Sequence, residues 1–311
     1  MKNIAFLFPG QGSQKVGMGQ DIFLERPASR ELFEAADRIC GLPIRQLCFE
    51  GPMETLTETI NLQPAVTAVN LACLALIREA GIAPVMCAGH SLGEYSALHA
   101  AGVVSAEDCL KLVFERGALM HREATRHKGA MSAIVGMDID AVTALTAEIK
   151  GVVTVANHNS ADQIVISGEP AAVQAVAEKA SRSGARAIAL KVSGAWHSPL
   201  IQGAEADFSA FMQTISFAQP ACPVIHNATA APEPDPGRIP GLLARQLCSP
   251  VRWYDTLQRM LAAQVEIFVE VGPGKVLTGL LKKALPSGHP AALFNVSDLK
   301  SLAAFLEAAH G

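Results

Sequence analysis

The chain has 311 residues, half of them hydrophobic and 17% charged, with a formal net charge of −4. That mix can bury a sizeable core and excludes a disordered chain. Lysines and arginines are scattered, so no nucleic-acid partner is expected, and no apolar run approaches the roughly 18 residues of a membrane span, so no membrane is expected either.

The chain opens with five apolar residues, Ile4 to Phe8, stopped by Pro9-Gly10. Such a run reads as a strand buried on both faces and is too short for a secretion signal, which predicts a cytoplasmic protein. The seven cysteines are widely spaced with no C-x-x-C pair, as expected of free thiols. Pro27 is expected to open a helix with Leu32, Phe33, Ala36 and Ile39 on one face and Gly41 past its end. A long apolar helix is predicted from Gln63 to Ala80, a buried strand from Val85 to Ala88, and a helix from Ser91 to Ala101. Apolar strands followed by helices predict an α/β fold with a mainly parallel sheet.

The pattern changes at Gly129. Strands are predicted at Met131 to Val135, Val152 to Ala156, Ile164 to Ser167 and Ala187 to Val192. Helices are predicted at Ile139 to Ile149 and Ala171 to Ser183, with Asn157 to Asp162 as a turn-rich joint. The order β-α-β-β-α-β is that of a ferredoxin-like unit. Residues 129–193 are therefore expected to be a small ferredoxin-like domain inserted into a hydrolase-like large domain made of 1–128 and 194–311. In the second half, Pro223 to Asn227 and Ile267 to Val271 are candidate strands, and the proline-rich Ala231 to Gly237 a surface loop.

Gly89-His90-Ser91-Leu92-Gly93 has the G-x-S-x-G spacing of a nucleophile elbow. The required strand precedes it and a helical pattern follows. Small residues on both sides let the backbone turn sharply, leaving the serine hydroxyl exposed at a helix N-terminus. A glycine-flanked turn with an N-capping serine would look similar. The serine needs a base, and nine histidines are available. His90 is a poor base because neighbouring side chains diverge at such a turn, and His99 reads as structural. His197, on the loop Gly194-Ala195-Trp196-His197-Ser198-Pro199, is the candidate, although pattern alone leaves it open to a structural role. No H-E-x-x-H or Cys/His ligand spacing appears, so no metal is expected. Gly272-Pro-Gly-Lys275 lacks phosphate-loop spacing and reads as a strand-to-helix turn.

Several segments stand in the order and spacing of malonyl-CoA:acyl carrier protein transacylases, and the chain resembles that family from end to end. They are Phe8-Pro-Gly-Gln-Gly-Ser-Gln14, Gln63-Pro64-Ala65, Gly89-His-Ser-Leu-Gly-Glu94, Arg116-Gly117, Asn157 to Ser160 with Gln163, Gly194-Ala-Trp-His-Ser198, Gln246 and Glu270-Val-Gly-Pro-Gly274. The resemblance implies that Ser91 forms a malonyl ester and that His197 is its base. It implies an oxyanion hole from the backbone N–H groups of Gln11 and Leu92, and a histidine oriented by backbone carbonyl instead of an acid. Arg116 would hold the malonyl carboxylate, since a guanidinium offers it a planar donor pair. Gln246, Gln63, Trp196 and His90 would complete the substrate site, Trp196 standing where the family commonly has phenylalanine. His121 and His226 also stand where the family has other polar residues, and His226 is expected either in the wall of a strand end or near the cleft. No cofactor is implied, malonyl-CoA being substrate, and the implied partner is an acyl carrier protein met by a monomer. Carrier proteins are usually acidic, so Lys179, Arg182, Arg186 and Lys191, with Lys275 and Lys282, are candidates for the docking face. The alternatives are a trans-acting polyketide acyltransferase, a malonyl-transfer subunit of malonate decarboxylase, a serine thioesterase or esterase, and a non-catalytic scaffold.

Overall fold

A computed structural model describes residues 2–310. Its larger sheet holds β1 (Ile4–Phe8) at the centre, flanked by β2 (Met86–Gly89) and β9 (Ile267–Val271). The order is β10-β9-β1-β2-β7-β8, where β7 is Val224–His226, β8 is Ala231–Pro232 and β10 is Ala292–Val296. Every pairing is parallel except the short β7–β8 hairpin. Both β1 and β9 are buried along their whole length, as continuous apolar strands covered on two faces must be.

The second sheet is antiparallel, in the order β4-β5-β3-β6. Its strands are β3 (Ala130–Val135), β4 (Val153–Ser160), β5 (Gln163–Gly168) and β6 (Arg186–Ala189), with helices Ile139–Ala147 and Pro170–Arg182 as crossovers. This is the ferredoxin-like arrangement the strand order predicts. The helices lie over Ile134, Ile164, Ile166, Val142, Val173 and Val176, which form a small core of their own.

The helix Thr59–Glu79 crosses the main core and is almost wholly buried. By length and composition it could cross a membrane, contrary to the sequence expectation, but its apolar surface is taken up inside the protein. It starts four residues before the predicted Gln63, because the turn before Pro64 already bonds to the Glu58 carbonyl through the N–H groups of Asn61 and Leu62. Its Asn70 donates to the Pro9 carbonyl and to Ser96 Oγ, which fixes the loop after β1 against the helix Gly93–Ala100.

Other boundaries also differ from the sequence reading. The expected joint Asn157–Asp162 is mostly strand: β4 runs on to Ser160, with two irregularities in its pairing to β5. The helix expected from Ser91 begins at Gly93, since Ser91 has a left-handed backbone. The strand expected to reach Val192 stops at Ala189. The first two residues of the expected loop Ala231–Gly237 pair with β7.

Candidate active site

Ser91 follows the C-terminal end of β2, and the loop after β1 approaches from the side. This is the edge of a parallel sheet where ligands commonly bind. The turn is tight: a methyl group on Gly89 would overlap the Gly93 backbone, and one on Gly93 would overlap the Phe8 carbonyl. Ser91 itself sits at φ 51°, a sparsely populated region for a residue with a side chain. Asn227, just past β7, stabilises it. Its Oδ1 accepts the Ser91 N–H at 2.6 Å, and its Nδ2 donates to the Gly89 carbonyl at 2.7 Å.

His197 also has a left-handed backbone, φ 58°. Its Nε2 lies 2.7 Å from Ser91 Oγ. On the other side Nδ1 meets two carbonyl oxygens, Gln246 at 2.9 Å and Ser249 at 3.1 Å. A carbonyl only accepts, so the proton belongs on Nδ1 and Nε2 is left to accept from the serine. Gln246 is the last residue of the helix Ile239–Gln246, where carbonyls lack partners within the helix. Burial, helped by the nearby Arg116 cation, pushes the His197 pKa down to about 3, so the ring is a neutral base at pH 7.

Arg116, on the helix Ala106–Arg126, is 1% exposed. Its η nitrogens donate to Gln63 Oε1 at 3.0 Å, Gln246 Oε1 at 3.0 Å and Ser91 Oγ at 3.1 Å, and it stacks over the Tyr95 ring at 5.6 Å. Its Nε is buried without a partner, and among the described residues no carboxylate comes within ion-pair distance. Burial lowers the guanidinium pKa. A buried cation lacking a counter-ion is costly, and an anionic ligand would relieve that cost.

The predicted residues mostly converge. Gln11, His90, Ser91, Trp196 and His197 line one cavity of about 100 Å³, and Gln63, Arg116 and Gln246 meet beside Ser91. His90 directs Nε2 to Asn159 Oδ1 at 2.9 Å and packs on Trp253. Among the described residues, the N–H groups of Gln11 and Leu92 have no acceptor, which leaves both available to an oxyanion. The basic residues lie elsewhere: Arg182, Arg186 and Lys191 are exposed on the smaller unit, Lys179 pairs with Glu148 at 2.8 Å, Lys275 precedes the helix Val276–Ala284, and Lys282 lies in its last turn.

Met120, Met131, Asn157, Leu190 and Val192 also line the cavity and were not singled out from the sequence as site residues. Glu94, Asn227 and the Glu94 contact of His226 were missed as well, although the polar pair His226-Asn227 at the end of an apolar strand was a usable signal. His226 is fully buried and donates through Nδ1 to Glu94 at 2.7 Å, so it belongs to the framework beneath the elbow.

The acyl transferase domain family matches residues 5–304. The chain belongs to that family. A malonyl CoA-acyl carrier protein transacylase of Bacillus subtilis (strain 168) is 42% identical over 287 residues, 91% of this chain and 90% of the relative. An acyl carrier protein S-malonyltransferase of Vibrio cholerae superposes with a TM-score of 0.92 at 38% identity, covering 98% and 100% of the two chains. A malonyl-transacylase solved in complex with a type II PKS acyl-carrier protein reaches 0.94 at 36% identity, covering 99% and 100%. This acyltransferase thus shares fold and length with its relatives, and it is an enzyme. Among its described residues no group of three or more His, Cys, Asp or Glu is placed to hold a metal ion.

Proposed function

We propose that the protein moves a malonyl group from malonyl-CoA to the phosphopantetheine thiol of an acyl carrier protein, supplying extender units for fatty-acid synthesis. The observation that carries this reading is Arg116: a buried guanidinium without a carboxylate partner among the described residues, 3.1 Å from the nucleophile and with its Nε unpartnered. A thioesterase for apolar acyl groups has no use for such a cation.

Ser91 Oγ attacks the thioester carbonyl while His197 Nε2 takes the hydroxyl proton. The oxyanion forms toward the N–H groups of Gln11 and Leu92, and Arg116 holds the far carboxylate. His197 then gives its proton to the departing CoA sulfur, leaving malonyl-Ser91. The carrier thiol reverses these steps, losing its proton to His197 as sulfur attacks the ester. Gln63 and Gln246 aim Arg116, and Trp196 and His90 wall the acyl site.

Nucleophile, base and arginine come from one chain, so a monomer suffices. Seven free cysteines suit a cytoplasmic enzyme. We take 129–193 as an inserted small domain, supported by a sheet whose ladders lie within 130–189, with a single bridge from Asn157 to Val251 tying it to the larger unit. Arg182 lines an open groove on it that shares Met131 with the active cavity, which supports carrier docking on this side. Mixing enzyme, labelled malonyl-CoA and a holo carrier protein tests the reading. Label on the carrier, abolished by Ser91→Ala, supports transfer, whereas free malonate as the main product would make the protein a hydrolase. Offering fatty-acid and polyketide carriers side by side identifies the pathway.

A further inference from the structure

Glu94 stands three residues after Ser91, in the first turn of the elbow helix, and is 1% exposed. Its carboxylate accepts three hydrogen bonds: from His226 Nδ1–H at 2.7 Å, from the Asn227 backbone N–H at 3.0 Å and from Gln246 Nε2–H at 2.8 Å. Among the described residues neither a lysine nor an arginine pairs with it. His197 Nδ1 is taken by the Gln246 and Ser249 carbonyls, so Glu94 is not the third member of a triad.

Its effect falls on Gln246. The Gln246 amide lies between two buried charges, Nε2 donating to Glu94 and to the Ser91 carbonyl, Oε1 accepting from Arg116. Each end faces the charge it favours. A flipped amide would turn its oxygen on the carboxylate and its NH2 on the guanidinium, two repulsive contacts in a site with little water to screen them. The Gln246 backbone carbonyl also orients His197 Nδ1, and Asn227, whose backbone N–H donates to the same Glu94 Oε2 as Gln246, receives the Ser91 N–H. One carboxylate thus sets the partners of nucleophile, base and arginine.

We propose that Glu94 is a positioning residue for acyl selection: by fixing the Gln246 amide it keeps Arg116 aimed at the acyl carboxylate. This rests on the reading of Arg116 given above. The property required is an acceptor at the Gln246 Nε2 position, which glutamine can supply and alanine cannot.

The experiment measures burst acylation of Ser91 by malonyl-CoA and by acetyl-CoA, with thermal unfolding of each variant alongside. Glu94→Ala should lower the malonyl-to-acetyl rate ratio by about tenfold or more. Glu94→Gln should restore most of that ratio. If Glu94→Ala does not fold, Glu94→Asp, which withdraws the carboxylate by one methylene, should fold and show an intermediate loss of ratio. In a Gln246→Ala background, Glu94→Ala should leave the ratio unmoved, since the residue through which it acts is gone. An equal loss of both rates with the ratio unchanged would reduce Glu94 to a structural role and overturn the proposal, as would a wild-type ratio in Glu94→Ala. A wild-type enzyme that shows no malonyl preference would instead refute the Arg116 reading, an outcome visible before any Glu94 variant is made.

Discussion

Arg116 touches the nucleophile: one of its η nitrogens donates to Ser91 Oγ at 3.1 Å. In a malonyl ester the free carboxylate is one methylene from the ester carbonyl, so a guanidinium that reaches Oγ also reaches that carboxylate. The contact helps to orient the hydroxyl, because an oxygen accepting from Arg116 directs its own hydrogen toward His197 Nε2, 2.7 Å away. Acyl selection and nucleophile activation therefore share one side chain.

The pH profile follows from burial of the base. His197 titrates at about 3 in the folded protein instead of its ordinary 6.5, because burial and then the Arg116 cation disfavour the imidazolium. The acid limb of the acylation rate is expected well below pH 6.5, measured by stopped-flow release of CoA. Arg116→Ala removes one cause of the depression and should move the limb upward. A wild-type limb at 6.5 would mean that the imidazole is solvated. The same shift bears on stability: between about 6.5 and 3 the unfolded chain binds a proton that the folded chain refuses, so this contribution is lost as pH falls through that window.

Two glycine substitutions should diverge. Gly93→Ala places a methyl on the Phe8 carbonyl, where β1 and the elbow helix meet, and should abolish acylation with a lowered unfolding temperature. Gly279, inside the helix Val276–Ala284, has open space around its Cβ position, so Gly279→Ala should stabilise by about 0.5–1 kcal/mol without touching activity. Chemical denaturation of both variants checks this. Normal activity in Gly93→Ala would contradict the close approach.

The docking face gives a third test. Changing Lys179, Arg182 and Arg186 together to glutamate should raise KM for the carrier protein severalfold, more at low salt, while KM for malonyl-CoA stays nearly constant. Lys179 already pairs with Glu148, so Arg182 and Arg186 should account for most of the effect. Equal changes in both constants would place docking elsewhere.

The strands and the elbow were legible because their signals are local: Ile4–Phe8 is apolar without a break, and glycines bracket Ser91. The β4 extension was not. Asn157 to Ser160 have turn-like composition, and long-range partners, β5 on one side and Val251 on the other, supply the hydrogen bonds that keep them extended. The framework under the site was hidden for another reason. Glu94 meets His226 and Gln246 across separations of 132 and 152 residues, which the sheet order creates and no spacing rule reveals. Arg116 shows the limit of pattern alone: on an amphipathic helix it looks like a surface charge, and only the fold turns it inward.

The most direct test is intact-protein mass after brief exposure to an equimolar mixture of malonyl-CoA and acetyl-CoA, for the wild type, Ser91→Ala and Arg116→Ala. The account predicts a malonyl-sized adduct on the wild type, none on Ser91→Ala, and on Arg116→Ala a malonyl adduct reduced by about tenfold or more with acetyl holding or rising. An adduct that survives Ser91→Ala, or undiminished malonyl loading in Arg116→Ala, would contradict it.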